Sequence, residues 1–94
     1  MKLVRDKIPQ IMKNKGLTPR THIANKDEFL EHLIKKLQEE VKEFTKDPSH
    51  EELADVLEVI DAIHTNKFKK SKVLAVKKKK RLERGAFKKR IILE

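Results

Sequence analysis

The feature that most constrains this chain is a proline set between two amphipathic stretches. Leu30, Leu33, Ile34, Leu37, Val41 and Phe44 recur at helical spacing before Asp47-Pro48, and Leu53, Val56, Leu57, Ile60 and Ile63 do so after it. Pro48 lacks a backbone donor and disfavours the helical conformation at Asp47, so the first helix must stop there. Asn25 with Glu28 and Ser49 with Glu52 are capping-box patterns that open the two helices, the second running over Glu51–Thr65. A break of only a few residues folds such a pair back as an antiparallel hairpin.

The flanks read as follows. Met1–Val4 is extended; Asp6 caps a short helix with Pro9 in its first turn, and Gly16 ends it. Thr18–Ala24, with Pro19 and β-branched residues, is loop or a short extended piece. Ser71 caps a third long helix that runs to about Glu83 and stops at Gly85, and Phe87–Leu93 is a short terminal strand. The expected fold is all-α with short extended termini, a single domain over residues 1–94. Six apolar residues on one helix and five on the next cannot close a core of their own. The hairpin is therefore expected to complete a four-helix-type bundle by forming a homodimer or higher homo-oligomer.

Charge is segregated along the chain. The net charge is +9, which at face value suggests nucleic-acid binding. Residues 1–26 carry +6, residues 27–61 carry −8 and residues 67–90 carry +12. A dedicated nucleic-acid binder has no use for an acidic block that repels phosphates, so the acids call for a role of their own. No apolar run reaches the roughly 18 residues of a membrane span, so no membrane partner is expected. Charges interrupt Met1–Gln10, which argues against a secretory leader and for the cytoplasm. With no cysteine there is no disulfide, thiolate nucleophile or Cys-ligated zinc. Two glycines in all exclude a phosphate-binding Gly-rich loop.

The acids have a pattern. Glu40 and Glu43 precede the break, Glu52 and Asp55 follow it, and each pair has the i,i+3 spacing of neighbours on one helix face. The numbering is mirrored, 40 against 55 and 43 against 52, so an antiparallel hairpin brings four carboxylates side by side, with Glu39 beside them. At 4 Å each carboxylate pair repels by about 1–4 kcal/mol, depending on the effective dielectric. A hard divalent cation, Mg²⁺ or Mn²⁺, turns that repulsion into coordination and suits phosphate chemistry. The same spacing also arises on solvated helix faces. Glu52 serves equally as the capping partner of Ser49, and Glu43 as a partner of Lys42 or Lys46.

Glu39-Glu40-x-x-Glu43 followed by Glu52-x-x-Asp55 resembles the EExxE…ExxD signature of the all-α nucleoside triphosphate pyrophosphatases, the MazG-like superfamily. Lys2–Pro9, Glu51–Val59 and Glu83–Ile91 are similar to the phosphoribosyl-ATP pyrophosphohydrolase-like subgroup, in the same order. The resemblance implies Mg²⁺-dependent hydrolysis of a nucleoside triphosphate between its α and β phosphates, typically to clear damaged or non-standard nucleotides. It implies Glu40, Glu43, Glu52 and Asp55 as metal ligands, with Glu39 orienting or deprotonating the attacking water. Arg5 and Lys7, in the first block, are candidates for phosphate contact. A family motif Lys-x-x-x-Asn-x-x-Arg finds its nearest fit in Lys77, Arg81 and Arg84, with Arg in place of Asn.

Other features carry less. His22, His32, His50 and His64 show no ligand-type pairing, and the four phenylalanines are too scattered for a stacking platform. Phe68 and Phe87, set among charges, are candidates for lining a base pocket. The run Lys77–Lys80 has three readings: a solvated helix face, a triphosphate contact, or a nucleic-acid or other polyanion patch. The competing class is accordingly a non-enzymatic basic helical protein that binds nucleic acid or another polyanion.

Overall fold

The computed structural model describes residues 1–65 and 67–94. Four helices follow in order: α1 (Ile8–Asn14), α2 (Lys26–Lys46), α3 (His50–His64) and α4 (Lys70–Arg84). There is no strand among the described residues. The all-α expectation holds, as does the hairpin: α2 and α3 are the two helices that pack extensively on each other.

Local chemistry explains the boundaries. Asn25 caps α2 by accepting the Glu28 N–H at 2.9 Å, and Ser49 caps α3 by accepting the Glu52 N–H at 3.2 Å. Asp27 and Glu28 sit in the first turn of α2 and Lys46 in its last, as the helix dipole favours. The capping box at α2 is only half made, because the Glu28 carboxylate instead meets His22 Nε2 at 3.0 Å. At the end of α1, Gly16 adopts φ +83°. Its N–H donates to Lys13 and that of Leu17 to Met12, both at 3.0 Å, which closes the helix by the two-bond motif that glycine permits.

Three boundary expectations are corrected. Lys7, not Asp6, is the N-cap residue of α1, and it makes no side-chain capping bond. Ser71 lies inside α4, whose N-cap position is Lys69. The segment expected as a terminal strand, Phe87–Leu93, forms no strand, since a strand needs an edge to pair with and the described residues offer none.

Burial is sparse. Leu33, 2% exposed, and Val59, 8% exposed, are the buried apolar side chains among the described residues, one on each of the two helices that pack together. Ile34, Val41, Leu53 and Leu57 stay exposed on the same two helices. The radius of gyration is 17.1 Å, against about 12 Å for a compact chain of this length. Every residue of α4 and of the tail after it is exposed.

Candidate metal centre

The hairpin brings Glu40, from α2, together with Glu52 and Asp55, from α3. Each offers one carboxylate oxygen, and the three oxygens lie within 4.8 Å of one another. The i,i+3 spacing on α3 aims Glu52 and Asp55 at one side, and the short Asp47–Ser49 turn sets the register that places Glu40 opposite. All three side chains are half-buried. Glu43, the fourth acid of the mirrored pattern, is exposed and stands outside this group, although its charge still reaches Glu52.

The counter-charges come from the chain itself. Arg5 donates to Asp55 Oδ1 at 2.7 Å. Lys36 Nζ lies 3.4 Å from Glu40 and 3.3 Å from Glu39, and Lys2 reaches Glu39 at 3.2 Å. Lys2 and Lys36 hold the Glu39 carboxyl below its ordinary range, against a smaller upward push from lost hydration, with the Lys2 contact the larger cause. Glu52 moves the other way: lost hydration, then the charges of Asp55, Glu43, Glu40 and Asp47, push its pKa up. Glu52 thus has no cation beside it among the described residues and feels every acid around it.

A cleft of about 620 Å³ opens beside the acids. Its charged lining is mixed, with Arg5, Lys7 and Lys36 beside Glu40, Asp55, Asp6, Glu58 and Asp61, and its apolar lining includes Phe29, Leu33 and Val59. A second cleft of about 420 Å³ lies across the N-terminal segment, lined by Arg20, His22, Glu28 and His32 among others. Arg5 and Lys7, the phosphate candidates near the N-terminus, are therefore at the site. Lys77, Arg81 and Arg84 are not: they line neither cleft, and α4 has no packed interface with the hairpin. Phe68 and Phe87 line neither cleft either.

The sequence reading passed over Lys36, Lys2 and the His22–Glu28 pair. The i,i+4 spacing of Lys36 and Glu40 is a signal that finds the first. Lys2 and His22 have no local signal, because their partners come from the fold. Three carboxylates at this separation suit a hard, oxygen-liganded cation, so the donor set fits Mg²⁺ or Mn²⁺. No helix among the described residues is long and apolar enough to cross a membrane. No protein family, curated protein or solved structure that was compared matches the chain.

Proposed function

We propose that this chain is a Mg²⁺-dependent nucleoside triphosphate pyrophosphohydrolase, cleaving NTP to NMP and pyrophosphate, with Mn²⁺ as an alternative ion. One observation carries the reading: three carboxylates converge within 4.8 Å, and two of them, Glu40 and Asp55, line a cleft that the cations Arg5, Lys7 and Lys36 also line. Glu40, Glu52 and Asp55 hold the metal, joined by Glu43 as the resemblance implies. Bound there, the ion supplies Lewis acidity toward phosphate oxygens and a more acidic water.

The chain's own residues do the rest. Lys7 and Arg5 hold phosphate oxygens in the cleft, Arg5 exchanging Asp55 for substrate. Glu39, kept ionised by Lys2 and Lys36, accepts a hydrogen bond from water and aims its oxygen at the α-phosphorus. The new bond joins that oxygen to the α-phosphorus, the α–β bridging oxygen departs with pyrophosphate, and the water proton passes to solvent. Such chemistry suits the removal of damaged or non-standard nucleotides in the cytoplasm.

Two copies would complete the bundle. Ile34, Val41, Leu53 and Leu57 leave the hairpin with apolar surface on its outer side, which a second hairpin would cover.

The test is a panel of standard and modified nucleoside triphosphates with Mg²⁺, scoring pyrophosphate and monophosphate. Cleavage of at least one triphosphate, lost in Asp55→Asn together with Mg²⁺ affinity, is expected. If no triphosphate is cleaved and Asp55→Asn leaves Mg²⁺ affinity unchanged, the reading fails.

A further inference from the structure

Helix α4 carries eight basic side chains and one acid, Glu83, in fifteen residues. It stands apart from the hairpin, every one of its residues is exposed, and none of its cations takes part in an ion pair among the described residues. The acidic hairpin therefore does not neutralise it. The repulsion that argues against nucleic-acid binding for the chain as a whole does not apply to a helix presented separately.

The positions matter as much as the number. At about 100° per residue, Lys70, Lys77, Arg81 and Arg84 fall within about 60° of one another around the axis. They form one row about 21 Å long, at 1.5 Å of rise per residue. Glu83 points well away from that row. The apolar residues do not gather on any face: Val73 and Leu74 flank the row on opposite sides, while Val76 and Leu82 lie on two further sides. A helix that lies on a membrane needs one continuous apolar face, and α4 has none. A single-stranded ligand would call for stacking aromatics, and α4 has none of those either.

We propose that α4 is a docking helix for duplex nucleic acid, its row of Lys70, Lys77, Arg81 and Arg84 contacting the phosphodiester backbone without reading sequence. A straight row of cations on a rigid rod matches the regular phosphate array of a duplex. Two of the four are arginines, whose planar guanidinium suits bidentate contact with phosphate. The inference is independent of hydrolysis at the hairpin, whose loss would leave duplex binding where it is.

The test is fluorescence anisotropy of a mixed-sequence DNA duplex of about two turns, titrated with the full chain at several salt concentrations. Four phosphate contacts predict a salt slope of about −3.6, hence an affinity loss on the order of 10²-fold between 50 and 200 mM salt. The variant Lys77→Ala/Arg81→Ala/Arg84→Ala, helical because alanine favours helix, should keep about one contact and lose only about fourfold over that range. Its circular dichroism verifies that α4 still forms. Absence of duplex binding at 50 mM salt overturns the proposal, as does binding that the triple substitution leaves unchanged. Tighter binding to vesicles of anionic lipid than to the duplex overturns it in favour of a membrane. Self-association lost in the triple variant, with no duplex bound, overturns it in favour of a second copy's acidic hairpin.

Discussion

Arg5 and Asp55, fifty positions apart in the chain, meet at 2.7 Å. One lies in the N-terminal segment and the other belongs to the carboxylate group of the hairpin. The pair is half open to water, with side chains 58% and 40% exposed, so screening keeps its contribution to stability within about 1 kcal/mol. Its larger effect is on occupancy, because a guanidinium and a divalent cation compete for the same carboxylate. Arg5→Ala should therefore lower the metal-free melting temperature by little and increase the rise in melting temperature that Mg²⁺ produces. Thermal melting with and without Mg²⁺ measures both. Triphosphate turnover in the same variant should fall, because Arg5 is also a phosphate contact.

Glu52 gives the pH dependence. Its folded-state pKa is raised above the ordinary 4.5, so the folded chain binds its proton more tightly than the unfolded one. By linkage, the Glu52 contribution to stability falls as pH rises from the ordinary carboxylate value through the raised one. In metal-free buffer at pH 7, Glu52→Gln should raise the melting temperature, and the difference should disappear as pH drops below about 4.5. The cap is spared, since Ser49 receives the Glu52 backbone N–H rather than its side chain. With Mg²⁺ present the same substitution should reduce the stabilisation by metal. Melting curves across pH, with and without Mg²⁺, separate the two effects.

Leu33 and Leu57 separate the hairpin's inner face from its outer one. Leu33 is 2% exposed, and Leu33→Ala should destabilise by about 2–5 kcal/mol, read from urea unfolding. Leu57 is 56% exposed in the single chain, so Leu57→Asp should leave the hairpin's own packing intact. If two hairpins pair through that side, sedimentation should show the wild-type chain as a dimer and Leu57→Asp as a monomer. A wild-type monomer would remove the dimer from the proposal.

The caps are a separate matter from packing. Asn25→Ala and Ser49→Ala each remove one side-chain acceptor from a helix N-terminus and should each cost about 1 kcal/mol. Loss of stability in urea, with helicity at the opposite helix unchanged, checks both. Ser49→Ala should also weaken Mg²⁺ binding, because α3 carries two of the three converging carboxylates.

Local rules were enough for the helices and the turn between them. Asn25, Pro48 and Ser49 act within three or four residues of themselves, so the limits of α2 and α3 are legible without any tertiary contact. The convergence of Glu40 with Asp55 was also legible, because an antiparallel hairpin pairs residues by their distance from its turn. Where a local rule had competitors the reading failed: Asp6 and Ser71 have the right side chains for caps, yet α1 and α4 start at neighbouring residues. What only the tertiary structure decided is which charges face which. Glu43 obeys the same mirror rule as Glu40 but stands outside the group, since the rotation of each helix about its axis is set by packing around Leu33 and Val59. Arg5 and Lys2 reach the acids because the N-terminal segment lies along the hairpin, and Lys77, Arg81 and Arg84 do not because α4 stands apart from it, exposed along its whole length. Charge in a sequence has sign and spacing; its partner depends on distances in space, which only the folded chain supplies.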